Sequence, residues 1–521
     1  MKIFSFFALA LVCALLLLVS SGVTNATPLD DYIAKQDPAL KWTYTGKSFN
    51  GLDYMAYIYN LTSQQWLTSA FSDRPVWWHH VVVIIPNTMD ADYEDKTFLY
   101  VTGGDNRHPE SFPDASDEDC FVAASIAVNA KVPAAVLFQV PNQPITFTND
   151  PWHRGGRSED AAIALTWWTY IQDPSNPYVA LELPMTKSIT SAMTMLQSVV
   201  PKHTSTGKAI TGFACSGASK RGFVTYLATA VDKRIKVQIP LVLDALHLHQ
   251  FLHRQWQFYG AWSFALTDYF HANITTLADT PNFAKLLSFI DPYFYIPRFI
   301  GTPTMLVNAV GDEFQMPDDW RYWQSGNAQW LQGIRSSIMV KDAEHSLATG
   351  VPEVLTSVSA FAEGFLGNKK TIPLFTWNIS STDGRIYVKT SEPPTKIDIS
   401  VADSALGVSK GRRDFRWAAI NATPCIVKVF GACVRPILWW TSKDSTPYIN
   451  HTSPTEFSAL VPEAPKNDDG STRWRAFMIE MRFKNPEGKG TEYYFTSGVS
   501  VIPDTLPFPP CVGEGCRGSL V

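Results

Sequence analysis

The sequence predicts an α/β fold built on a mostly parallel sheet, followed by a small all-β unit. Three observations carry that prediction. Apolar runs of strand length alternate with helical patterns as far as about Val340. One such strand runs into Gly217-Ala218-Ser219-Lys220-Arg221-Gly222, a tight turn around a serine that opens into a helical pattern. Beyond Gly364-Phe365-Leu366-Gly367-Asn368-Lys369-Lys370 the composition shifts, and short strands follow one another. At 521 residues the chain exceeds one average domain.

The first element is a leader. Lys2 precedes an apolar run from Ile3 to Val19, with small and polar residues through Thr24-Asn25-Ala26. This predicts a signal peptide over residues 1–26 and a secreted, extracellular protein beginning near Thr27. Membrane insertion is not expected, because no later run is long and apolar enough to span a bilayer. Secretion gives meaning to glycosylation sequons at Asn60, Asn273, Asn378, Asn421 and Asn450. It also admits disulfides. Cys425 with Cys433, and Cys511 with Cys516, are close enough to close small loops, while Cys120 and Cys215 either pair or stay separate core thiols. The net charge of −5 offers no electrostatic footprint for nucleic acid.

From Lys41 to about Phe98 the pattern is β-rich, with strands over 54–59 and 81–85. Phe98-Leu99-Tyr100-Val101 runs into Thr102-Gly103-Gly104, a loop able to offer backbone N–H groups to an oxyanion. A short helix over 121–129 and a buried strand over 134–140 follow, then an irregular loop. Glu159 and Asp160 open the next helix, where carboxylates suit the dipole better than a catalytic role. After the serine turn come strands over 237–243, 304–310 and 337–340. An aromatic, largely helical insertion at about 245–300 reads as a cap. His249 and His253 stand one helical turn apart within it, but no metalloprotease signature accompanies them, so neither metal nor cofactor is expected. Residues 27–368 thus form the α/β domain with its cap. Strands over 386–388, 396–401, 436–440 and 477–483 place a β-sandwich at 369–505, and a Pro- and Cys-containing tail occupies 506–521.

The chemistry gathers at strand ends. At a strand-to-helix turn, Ser219 Oγ projects from the carboxyl edge of a parallel sheet, as a nucleophile elbow requires, although Arg221 stands where the usual second glycine would and Gly222 comes one later. A serine nucleophile needs a base and an acid to orient it. Asp312 follows one later strand and His345 the next, in the order that an α/β-hydrolase uses. Asp244 and Glu313 are alternative acids. The oxyanion donors expected are the N–H of Lys220 and one from Gly103 or Gly104.

Thr102-Gly103-Gly104, Pro141-Asn142-Gln143-Pro144, Glu159-Asp160-Ala161, the Ser219 hexapeptide, Gly311-Asp312-Glu313-Phe314, His345-Ser346-Leu347 and Arg413-Asp414-Phe415-Arg416 resemble the PhoPQ-activated pathogenicity-related family. The resemblance runs from about Leu29 to Pro510. It implies an α/β-hydrolase domain, related in design to secreted serine peptidases and esterases, with a small β-domain behind it. Its branch in social amoebae implies an extracellular signal that represses proliferation and repels cells, acting with a secreted protein partner and a cell-surface receptor. The function expected from this resemblance is an extracellular signal repressing proliferation on a hydrolase scaffold, and the alternative is a secreted serine hydrolase acting on an ester or peptide.

Overall fold

The computed structural model describes residues 26–324, 335–366, 372–406, 411–420, 425, 427–429, 431–435, 437–442, 447–485 and 492–521. The leader up to Asn25, the Gly367–Lys370 part of the expected linker and the Asn421 sequon lie outside the described residues.

A nine-stranded sheet forms the centre. Its strands are β1 (Lys41–Gly51), β2 (Tyr54–Gln65), β3 (Val76–Pro86), β4 (Lys96–Val101), β5 (Ala134–Leu137), β6 (Gly212–Ala218), β7 (Ile235–Leu241), β8 (Thr304–Ala309) and β9 (Arg335–Val340). The spatial order is β1-β2-β3-β5-β4-β6-β7-β8-β9. The first three strands pair antiparallel, and β5 to β9 pair parallel. This is the α/β-hydrolase arrangement, with β6 feeding the serine turn. Val81 to Ile84 are wholly buried because helices cover both faces, so the inner strands read as apolar runs rather than alternating ones.

The covering helices are α1 (Pro28–Ala34), α2 (Glu118–Ala130), α3 (Glu159–Gln172), α4 (Glu182–Val199), α5 (Lys220–Val231), α6 (Leu248–Tyr259), α7 (Pro281–Ile290) and α8 (Val351–Leu366). Helix α4 has no counterpart in the sequence prediction. It carries no clean apolar stripe, because Glu182, Thr186, Lys187, Ser188, Thr190 and Ser191 are all buried. Their polar atoms find partners inside: Lys187 Nζ donates to Tyr32 O at 3.1 Å, and Ser191 Oγ to Ser63 O at 3.0 Å. Gly364 to Leu366, expected in the linker, instead form the last turn of α8, where Leu366 is buried.

Helices α6 and α7, with shorter turns between them, fill the connection from β7 to β8, the stretch read from the sequence as a cap. The C-terminal strands make a four-stranded and a five-stranded sheet. Ile386, Val388 and Phe457 of one share an apolar cluster with Ile399, Val401 and Ile479 of the other, which makes a sandwich. The strand expected over 436–440 is displaced: pairing begins only at Trp440 and runs to Ser442. Trp439 is drawn the other way. Its N–H donates to Asp342 Oδ1 at 2.8 Å and its ring packs in one cluster with Val310 and Met339 of the α/β domain.

Charged residues join the parts. Arg413 is fully buried and donates to both carboxylate oxygens of Asp318, at 3.1 and 2.9 Å. Arg416 forks onto Asp414 and also reaches Ser263 Oγ in the cap at 3.1 Å. The tail runs along the cap, where Trp262 Nε1 donates to Cys516 O at 2.7 Å and Trp262 N to Ser519 O at 2.9 Å. Disulfides join Cys425 to Cys433 and Cys511 to Cys516, as expected. Cys120 and Cys215 are separate buried thiols.

Candidate active site

The backbone of Ser219 is in a strained conformation, φ 57° and ψ −126°, between β6 and α5. That conformation is the nucleophile elbow, in which a positive φ turns the serine side chain off the sheet edge. The shifted glycine now has a reason. A Cβ on Gly222 would stand 3.0 Å from Gly217 O and 3.1 Å from Leu241 O, so the close approach of α5 to β7 falls on residue 222 rather than 221.

Position 221 is thereby released for another task. Arg221 Nε donates to Val140 O at 2.6 Å, and its two Nη atoms fork onto Glu159 at 2.7 and 2.5 Å. Lys220 Nζ joins the same carboxylate at 2.8 Å and Asp160 at 3.2 Å. Burial alone would raise the Glu159 pKa, but the two cations hold it well below the usual carboxylate range. Glu159 itself is at φ 53°, and Gln143 clasps it from both sides: its Oε1 accepts the Glu159 N–H at 2.7 Å while its Nε2 donates to the carboxylate. Glu159 and Asp160 do start α3, but they also tie that helix to the serine turn. The sequence reading assigned only the first role.

His345 follows β9 and Asp312 follows β8. His345 Nδ1 lies 2.7 Å from Asp312 Oδ2, while Asp312 Oδ1 accepts from the N–H groups of Phe314 at 2.7 Å and Gln315 at 3.2 Å. A carboxylate only accepts, so Nδ1 carries the proton and Nε2 is left as an acceptor. That Nε2 is buried and has no hydrogen-bond partner. Burial disfavours the imidazolium, yet the neighbouring Asp312 charge and hydrogen bond outweigh it, and the His345 pKa stands above its ordinary 6.5.

The alternative acids lie elsewhere. Glu313 accepts the backbone N–H of His345 at 3.2 Å rather than meeting its ring, and burial together with Asp312 pushes its pKa up to about 7. Asp244 is buried, with its N–H donating to Gln315 Oε1, and its charge falls on Asp319.

Ser219 and His345 line two cavities together. One, of about 100 Å³, lies under the residues that connect β7 to β8 and is lined by Trp167, Phe223, Leu252 and Glu182. The other, of about 380 Å³, opens between the loop after β4 and helices α2 and α8. Glu182 is a residue the sequence reading missed. It is 2% exposed, Trp167 Nε1 donates to its Oε1 at 2.7 Å, its Oε2 has no partner, and burial raises its pKa to about 7.

Of the expected oxyanion donors, Lys220 heads α5, where first-turn N–H groups have no intrahelical acceptor. Gly103 lies against the Arg221 guanidinium, and a Cβ there would come within 2.5 Å of Nη2; Gly104 lies beside Gln139. Neither glycine lines the cavities that Ser219 shares with His345. The sequon residues Asn60, Asn273, Asn378 and Asn450 are all exposed.

Comparison with known proteins gives a consistent picture. The profile of the family described as PhoPQ-activated pathogenicity-related protein matches residues 29–416. Autocrine proliferation repressor protein A of Dictyostelium discoideum is 32% identical over 533 residues, covering 97% of each chain. Among solved structures, an acetyl xylan esterase from Paenibacillus sp. R4 is 14% identical at a TM-score of 0.44, covering 66% of this chain and 96% of its own. A glucuronoyl esterase from Solibacter usitatus is 12% identical at 0.41, covering 65% and 92%. The fold assignment rests on the strand order given above, not on these scores.

Proposed function

Because this chain belongs to the PhoPQ-activated pathogenicity-related family, we propose that it is a secreted protein whose α/β-hydrolase domain works as a serine hydrolase on an ester or peptide. One observation carries the reading. An imidazole oriented by Asp312 keeps an unpartnered Nε2 on the same cavities as a serine held in elbow geometry. In that reaction His345 Nε2 takes the Ser219 proton as Oγ attacks the carbonyl carbon. The Lys220 N–H receives the oxyanion, and His345 then returns the proton to the leaving group. Lys220 and Arg221 side chains act by holding Glu159, and so the loop before α3, in place.

Secretion is supported by several features. Thr27 caps α1, its N–H donating to Asp30 Oδ2 at 2.8 Å, so cleavage after Ala26 would leave an α-amine already facing a carboxylate. Two disulfides and four exposed sequon asparagines suit an oxidising, glycosylating route. Among the described residues no helix is long and apolar enough to cross a membrane.

A second reading, an extracellular autocrine signal that represses proliferation through a secreted partner and a cell-surface receptor, is favoured by the near full-length similarity to the Dictyostelium repressor. A serine-reactive fluorophosphonate tests the first. Labelling of the wild type that vanishes in Ser219→Ala supports the hydrolase, and an unlabelled wild type overturns it. Growth inhibition that survives Ser219→Ala assigns the signal to the scaffold; loss of both assigns it to the product of hydrolysis.

A further inference from the structure

The cap holds a cluster that neither functional reading uses. His249 and His253 lie one turn apart on α6, and Asp279 lies between the short helix Ile274–Leu277 and α7. Both Nε2 atoms face the same carboxylate oxygen: His249 Nε2 lies 3.1 Å and His253 Nε2 2.8 Å from Asp279 Oδ1. One ligand atom from each residue lies within 4.8 Å of the other two. We infer that His249, His253 and Asp279 form a binding site for a divalent transition metal of the zinc type.

The geometry is close to what such an ion needs. With metal–ligand bonds of 2.0–2.1 Å in a tetrahedron, neighbouring donor atoms lie about 3.3 Å apart. The two measured separations are a few tenths of an ångström shorter, so the imidazoles have only to draw back slightly for an ion to enter. All three side chains are partly exposed, at 37%, 15% and 22%, which leaves an entry path and a coordination position for water. Two imidazoles and one carboxylate suit zinc, copper or nickel better than the all-oxygen preferences of calcium or magnesium. The carboxylate is also oriented from behind, since Gly513 N–H donates to Asp279 Oδ2 at 2.8 Å. The sulfurs of Cys511 and Cys516, also near His253, are bonded to each other and offer no thiolate.

An ion at this position would join three parts of the protein. Helix α6 contributes Leu248, Phe251 and Leu252 to the Ser219 cavity, Asp279 belongs to the far side of the cap, and Gly513 belongs to the tail. The ion would fix the roof of the cavity to both.

The test uses the full mature chain without a polyhistidine tag, stripped with chelator and desalted. Titration with Zn²⁺ by calorimetry is expected to give one ion per chain, and Co²⁺ to develop the visible absorption of a tetrahedral site. His253→Ala and Asp279→Asn should each weaken binding by about 100-fold or more, since loss of a ligand exceeds the loss of an orienting partner. His249→Gln, at the more exposed position, provides a variant that retains the fold, checked by its metal-free Tm. No stoichiometric Zn²⁺ binding by the wild type, or binding unchanged in a folded His249→Gln or His253→Ala chain, overturns the site.

Discussion

Replacing Glu182 by glutamine should change how stability depends on pH. The Glu182 carboxyl is 2% exposed, and burial places its pKa near 7 instead of 4.5. A raised pKa favours the protonated carboxyl in the fold. Its contribution is intact below pH 4.5 and is lost as pH rises through 7, because the unfolded chain ionises there first. Between pH 4 and pH 8 this amounts to about 3 kcal/mol of lost stability, at 1.36 kcal/mol per pH unit between the two values. Glutamine keeps an acceptor for the Trp167 indole N–H but does not ionise. Any donor that its amide leaves unmet costs the same at every pH. The informative quantity is therefore the difference between variant and wild type at pH 8 minus that at pH 4, in which other titrating groups cancel. Unfolding entropy of roughly 2.1 cal/mol/K per residue converts 3 kcal/mol into about 3 °C over this chain. Glu182→Gln should gain about that much in Tm relative to wild type across the range, measured by calorimetry or near-UV circular dichroism. A difference that stays flat from pH 4 to pH 8 would refute the raised Glu182 pKa on which the argument depends.

Hydrolysis, if His345 is the base, should rise with pH through a midpoint above 6.5, because the ring must be neutral and Asp312 favours its charged form. The same group stabilises the fold below 6.5 and loses that contribution as pH climbs past the raised value. A kcat/KM profile with its acid limb at or below 6.5 would remove His345 from the role. Gly103→Ala would set a methyl 2.5 Å from Arg221 Nη2, so it should cost about 1–3 kcal/mol, as overpacking does, and reduce turnover by disturbing the Arg221–Glu159 fork. An unchanged melting curve for that variant would show that the loop yields freely.

Local pattern made the order of the α/β strands legible. Their apolar runs are long, buried on both faces and separated by helical periodicity, and Ser219, Asp312 and His345 each follow directly on a strand of their own. Disulfides closing loops of 5 and 8 residues were equally plain, since short sequence separation alone brings those cysteines together. Where the reading failed, a tertiary partner outweighed local preference. Helix α4 hides its periodicity because buried hydroxyls and a lysine bond to Tyr32 and Ser63, more than a hundred residues away. Trp439 leaves its ladder for Asp342 in the other domain.

The sequence by itself determined that this chain has an α/β-hydrolase scaffold with a serine turn and a β-rich C-terminal unit, because each is written in contiguous residues. Only the tertiary structure decided what surrounds the serine. Arg221 becomes the counter-ion of Glu159, Asp312 rather than Asp244 or Glu313 meets the His345 ring, and Glu182 joins the lining of the cavity at Ser219. It also brought Asp279 to His249 and His253 across 30 and 26 residues of chain. Contacts of this kind depend on side-chain reach and burial between distant segments, and hydrophobic periodicity contains no record of either.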